Sequence, residues 1–279
     1  MAGSPEVERV FTTWRELFPA GEGLTIEDFR NCWDATFAQM PLPDDVAVTE
    51  SRANGVRSLR VEIRDAPVDR HLLLLHGGGY MCGNPEGVRD LAARLARAAR
   101  ADVLVPDYRL APENPHPAAV EDAVRAYRSL VGDRAPERCA VVGESAGGGL
   151  ALATMVAVRD QGGPLPAAGC CFSAWLDMTV SGASVTSKAE VDPIASGDSL
   201  RMSAQAYLQG QEPTLPLASP LHADLTGLPP LLLQVGSEEV LLDDSTRLAE
   251  KARQAGVDVT LEVADGLPHV FQYFASFLP

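Results

Sequence analysis

A chain of 279 residues, 46% hydrophobic and 22% charged, is long enough to bury one sizeable core and has the composition of an ordinary globular protein. A formal net charge of −15, with no cluster of Lys and Arg, excludes nucleic acid and anionic membrane as ready partners and slightly favours neutral or cationic ligands. No apolar run approaches a membrane span, and Met1-Ala2-Gly3-Ser4-Pro5-Glu6 lacks the basic-then-apolar order of a signal peptide, so a cytoplasmic location is expected.

In chain order, residues 1–45 carry Phe11, Trp14 and Phe18, then Phe29, Trp33 and Phe37, at helical spacing. Short helices with such large apolar faces need something to cover, so this segment is expected either to cap one end of the sheet or to pad the outside of the core. Pro41-Leu42-Pro43-Asp44 reads as a turn into a main domain spanning 46–279. There, apolar runs suited to strands alternate with stretches of helical periodicity: strand Leu72–Leu75, helix Arg89–Arg100, strand Val103–Val105, helix Ala118–Leu130, strand Cys139–Val142, helix Gly148–Arg159 and strand Ala168–Phe172. Residues 178–212, rich in Ser, Thr and Gly and then helical, break the rhythm and read as a cap insertion. It resumes with strand Leu231–Val235, helix Ser245–Ala255 and strand Val259–Val263. Runs that are apolar throughout suit strands covered on both faces, which predicts an α/β fold with a mostly parallel central sheet. The five cysteines, Cys32, Cys82, Cys139, Cys170 and Cys171, are odd in number and lack CxxC spacing, so buried free thiols are expected, with no disulfide and no metal.

Gly143-Glu144-Ser145-Ala146-Gly147 follows one expected strand and precedes an expected helix. A G-x-S-x-G alone is a weak motif, and a glycine-rich turn before a helix can also hold an anion. No lysine follows as in a P-loop, and no dinucleotide spacing is complete. The strand-turn-helix setting favours a nucleophile on a strained elbow, with glycines on either side leaving clearance.

A serine nucleophile needs a base. His71, His116 and His222 read as structural or surface residues. His76 opens His76-Gly77-Gly78-Gly79, a loop able to turn backbone N–H groups toward a substrate, to which the Ala146 N–H adds another donor. His269 follows the last expected strand through Asp265-Gly266-Leu267-Pro268 and can reach the same sheet edge as Ser145, which makes it the base. Its orienting acid is sought among Glu238, Glu239, Asp243 and Asp244, at the end of strand Leu231–Val235. The order serine, acid, histidine is that of α/β-hydrolases.

His76-Gly77-Gly78-Gly79-Tyr80, Asp107-Tyr108-Arg109-Leu110-Ala111-Pro112-Glu113, Gly143 to Gly148 and His269 together resemble the bacterial hormone-sensitive-lipase-like esterases, over roughly residues 70–273. The resemblance implies an α/β-hydrolase fold with helices on both faces of the sheet and a small helical cap. It implies Ser145 as nucleophile, His269 as base, and Gly78, Gly79 and Ala146 as oxyanion donors, with His76 shaping the loop. The acid in this family is usually Asp in Asp-Pro-Leu; Glu239-Val240-Leu241 matches it with Glu for Asp, and Asp243 is the alternative. Glu144 stands where relatives often have Asp, and His116 where they often have Phe. The chain stops ten residues after His269, where relatives usually continue through a further helix, so either this is a short member or a C-terminal piece is missing.

The expected activity is hydrolysis of short to medium acyl esters through an acyl-enzyme, without metal or organic cofactor. A lactone or an amide (N-acetyl) bond is an alternative substrate for the same triad, and a non-catalytic binding protein is a remote one. Tyr80, Trp175, Met178, Ile194 and Tyr207 are candidates for the substrate pocket, each equally readable as a packing residue. The partner is a small ester, and a homodimer is compatible with the sequence.

Overall fold

The computed structural model describes residues 3–17, 25–37, 42–66, 68–132 and 134–278. Phe18, Pro41 and the side chain of Cys32, named above, lie outside them. Two helices come first, α1 (Pro5–Leu17) and α2 (Ile26–Phe37), followed by the hairpin β1 (Val46–Ala53) and β2 (Val56–Ile63). The alternating units are β3 (Arg70–Leu75), α3 (Arg89–Ala99), β4 (Ala101–Pro106), α4 (Ala118–Val131), β5 (Cys139–Glu144), α5 (Ala146–Asp160) and β6 (Ala168–Phe172). The short α6 (Ser184–Ser187) and α7 (Gly197–Leu208) occupy the insertion, and β7 (Leu231–Gly236), α8 (Leu242–Gln254) and β8 (Val259–Ala264) complete the fold.

The described strands form one sheet in the order β1-β2-β4-β3-β5-β6-β7-β8, with β2 alone running against the others. This is the α/β-hydrolase fold, and all six strands expected from apolar runs are present. The β1–β2 hairpin is an addition to the expected elements. On β1 only Val46 and Ala53 are fully buried, and Asn54 and Gly55, with φ of 46° and 89°, close a two-residue turn between the paired Ala53 and Val56.

Each central strand feeds two cores. Leu73, Leu75, Leu104 and Val141 face the layer of α4, α5 and α8, whereas Leu72, Leu74, Val103, Val105 and Val142 face α1, α2 and α3. Helix α5 is buried on every side from Ala146 to Val158, so its small residues are what the space admits. On the other face, Trp14 meets Phe37, Tyr273 and Phe274 at ring-centroid distances of 5.7, 6.1 and 5.2 Å. The apolar faces of the first two helices are thereby covered by the chain's last turns.

Candidate active site

Four loops leave the carboxyl ends of β3, β5, β7 and β8 and converge, as ligand-binding loops do in open α/β sheets. After β5, Ser145 takes φ 53° and ψ −123°, a conformation held because its N–H donates to the Phe172 carbonyl at 2.9 Å and its own carbonyl accepts from Trp175 N–H at 2.9 Å. A Cβ on Gly143 would collide with the Gly147 carbonyl, and one on Gly147 with the Leu75 carbonyl. Side chains at either position would therefore force the elbow open.

Past β8, a left-handed Val270 (φ 45°) turns His269 back toward the elbow. Its Nε2 lies 3.0 Å from Ser145 Oγ and its Nδ1 2.7 Å from Glu239 Oε2. The carboxylate requires the proton on Nδ1, which leaves Nε2 free to accept from the serine hydroxyl. The other oxygen of Glu239 accepts from Ser173 Oγ at 2.8 Å and Gly236 N–H at 2.6 Å. Glu239 is fully buried and His269 nearly so. Burial works against the imidazolium. The hydrogen bond and charge of Glu239, with the charges of Asp192 and Glu144, outweigh it and hold the His269 pKa above its ordinary value.

After β3 the chain makes a tight turn in which the Gly78 carbonyl accepts from Met81 and Cys82 N–H groups at 3.0 and 2.9 Å. That turn needs φ of +104° at Gly78, and a Cβ there would meet the Cys82 carbonyl. Among the described residues, no protein group accepts from the N–H of Gly78, Gly79 or Ala146. His76 is buried and stacks on Tyr108 at 4.1 Å, with Nδ1–H donating to the Gly77 carbonyl at 2.8 Å; burial pushes its pKa down to about 4, so it stays neutral. Glu144 has two partners: its Oε1 accepts from the Tyr273 hydroxyl at 2.8 Å and from the Gly77 N–H.

Residues 72–273 match the α/β-hydrolase-fold family. The chain is 47% identical to an acetyl-hydrolase of Streptomyces hygroscopicus, over 99% of this chain and 92% of that one, and 33% identical to an esterase of Acinetobacter venetianus, over 94% and 86%. The crystal structure of an esterase from the bacterial hormone-sensitive lipase family shares 48% identity and superposes with a TM-score of 0.96, covering 100% of this chain and 94% of that one. The chain belongs to the hormone-sensitive-lipase-like esterases.

This carboxylic-ester hydrolase has a pocket over Ser145 and His269 whose wall draws on several distant parts of the chain. Trp14, Ile26, Phe29 and Trp33 come from the first two helices, Gly78, Gly79, Met81 and Cys82 from the loop after β3, and Ile194, Leu200, Met202 and Ser203 from the insertion. Of the five residues expected in the pocket, Trp175 and Ile194 line it. Tyr80, Met178 and Tyr207 instead belong to the core beneath, where the Tyr80 and Tyr207 rings stack at 3.9 Å. Asp243 and Asp244 lie away from the histidine: Asp243 accepts from Ser184 N–H at 2.9 Å, and Asp244 from Leu176 and Asp177 N–H groups at 2.8 and 3.1 Å.

Sequence reasoning missed three supports of this esterase's site. Ser173 Oγ, besides donating to Glu239, accepts from Val270 N–H at 3.0 Å, and its place at the end of β6 was the available signal. Tyr273 braces Glu144, and Trp14 Nε1 donates to the His269 carbonyl at 3.0 Å. Contacts of such sequence separation leave no local trace. The four cysteines whose side chains are described carry no disulfide. Among the described residues no helix is long and apolar enough to cross a membrane.

Proposed function

We propose that this esterase hydrolyses short to medium acyl esters with Ser145 as nucleophile, His269 as general base and Glu239 as the orienting acid. The observation that carries this reading is the relay from Ser145 Oγ through His269 to Glu239, with links of 3.0 and 2.7 Å. As Oγ attacks the acyl carbon, its proton passes to His269 Nε2, and Glu239 stabilises the imidazolium. The oxyanion is received by the uncommitted N–H groups of Gly78, Gly79 and Ala146. Protonated His269 then donates to the departing alkoxide, and water repeats the sequence in reverse to release the acid.

The apolar wall supports a short acyl group. Trp175, Leu200 and Ile194, bulky and apolar, line the same pocket as Ser145, which suits a short alkyl chain. The acetyl-hydrolase relative supports this, as does a solved neighbour at 40% identity, TM-score 0.94, that was soaked with p-nitrophenyl butyrate. In this reading α1, α2 and the insertion carrying α6 and α7 form the cap that sets substrate choice. Four cysteines that form no disulfide suit a reducing, cytoplasmic compartment.

The test is a fluorophosphonate probe together with p-nitrophenyl esters of increasing acyl length. Labelling at Ser145, lost in Ser145→Ala along with turnover, and a rate that peaks at short acyl groups are the expected results. An unlabelled Ser145 in active enzyme overturns the reading.

A further inference from the structure

The insertion does more than wall the pocket, because it grips the backbone next to Glu239. Asp192 Oδ2 accepts from Val240 N–H at 2.8 Å, and the hydroxyl of Ser184 donates to the Val240 carbonyl at 2.6 Å. The same hydroxyl accepts from Asp243 N–H at 3.1 Å, and Ser184 N–H donates to Asp243 Oδ2 at 2.9 Å. Lys188 pairs with Glu238 at 3.2 Å. Both neighbours of Glu239 are thus tied to residues 184–192. The Val240 N–H shares a peptide plane with the Glu239 carbonyl, so fixing it fixes the backbone from which the carboxylate projects. A glutamate has one more rotor than an aspartate, so holding its carboxylate on His269 costs more side-chain entropy, which a fixed backbone does not add to.

The other Asp192 oxygen, Oδ1, accepts from Ile194 and Ala195 N–H groups at 3.0 and 2.9 Å. Those two residues line the pocket. One carboxylate therefore holds a piece of substrate wall and the loop bearing Glu239.

We propose that Asp192 is a positioning residue: together with Ser184 it latches the insertion to the loop that carries Glu239. Resting on the assignment of Ser145, His269 and Glu239, this adds a device to it. The charged groups acting on His269 are Glu239, Asp192 and Glu144, and Lys188 and Glu238 pair beside Asp192. Burial pushes the Asp192 carboxyl up, against its attraction to His269 and its three N–H donors. Removing the Asp192 charge makes His269 easier to deprotonate, so the base stays neutral to lower pH.

The experiment compares full-length wild type, Asp192→Asn and Ser184→Ala on p-nitrophenyl acetate across pH, with fluorophosphonate labelling alongside. Asp192→Asn is expected to lower kcat by about tenfold to a hundredfold, the cost of a misplaced catalytic group. It is also expected to move the acid limb of kcat/KM to lower pH. Ser184→Ala, which loosens the same loop without removing charge, lowers kcat and leaves the limb in place. A purely structural role would depress Tm without moving the limb. An Asp192→Asn limb superimposed on wild type overturns the proposal, as does wild-type kcat in Ser184→Ala, which decides the matter if the first variant does not fold. Failure to label wild-type Ser145 sinks the assignment of the site; normal labelling with unaltered variants sinks the latch alone.

Discussion

The indole Nε1 of Trp14 donates to the backbone carbonyl of His269 across 3.0 Å, joining the first helix to the residue that faces Ser145. The ring itself packs edge-on against Phe274, with centroids 5.2 Å apart. Trp14→Phe keeps most of this packing but leaves the His269 carbonyl without that donor in a buried site, a loss of about 1–3 kcal/mol. Trp14→Ala also opens a cavity, at about 3–5 kcal/mol. Thermal melts should rank wild type, Phe and Ala in that order, and kcat should fall in Trp14→Phe because the backbone of the proposed base, His269, is loosened.

Glu239→Gln should be far more damaging to turnover than to stability. Ser173 Oγ and Gly236 N–H donate to one oxygen of Glu239. A glutamine places its carbonyl there and turns its NH2 toward His269 Nδ1. That reverses the tautomer, puts the proton on Nε2 and removes the acceptor for Ser145, a loss of about ten-thousandfold in kcat. Asp243→Asn retains an acceptor for Ser184 N–H and should keep most activity. Steady-state rates on p-nitrophenyl acetate separate the two. In wild type the raised His269 pKa means that kcat/KM falls as pH drops through a value above the ordinary one of about 6.5.

Much of this arrangement is legible because the parallel sheet leaves local marks. Apolar runs located β3 to β8, and the chemistry-bearing loops follow strand ends at Ser145, Gly78, Glu239 and His269. The β1–β2 hairpin escaped because β1, at the sheet edge, buries only Val46 and Ala53 and so carries little apolar signal, although Asn54-Gly55 marked its turn. Tyr80, Met178 and Tyr207 were indistinguishable from pocket residues by composition, since a large apolar side chain suits a core and a wall equally. Trp14, Ser173, Asp192 and Tyr273 act through contacts between distant segments, which no spacing within the chain encodes.

Glu144 gives a stability signature. Burial pushes its carboxyl up to about 7 from an ordinary 4.5, against hydrogen bonds from Tyr273 and Gly77 and the attraction to His269. Between those two values the folded state binds more protons than the unfolded chain, so this group makes stability fall as pH rises through the window. Glu144→Gln keeps an acceptor for Gly77 and Tyr273 and does not titrate. The Tm of the variant minus that of wild type should therefore widen from pH about 4.5 to about 7 and level off above. Buried acids that Glu144 does not touch titrate alike in both proteins and cancel in the difference, and repeating the pair in a His269→Gln background removes the one coupled base. A difference independent of pH would remove Glu144 as its source.

The pocket wall and the core beneath it should separate cleanly under substitution. Phe29 lies on the wall contributed by α2, so Phe29→Ala enlarges the site. The preference for longer acyl chains should then rise by about 0.8 kcal/mol, roughly fourfold in relative kcat/KM, for each methylene newly accommodated. Tyr207 is buried off the wall, and among the described residues its hydroxyl has no hydrogen-bond partner. Tyr207→Phe removes an unsatisfied buried group while preserving the ring that stacks on Tyr80, so stability should rise by about 1–3 kcal/mol with the acyl profile unchanged. Measuring Tm and kcat/KM from acetyl to octanoyl esters for both variants tests this division. A changed acyl profile in Tyr207→Phe would place that residue back among those that shape the substrate site.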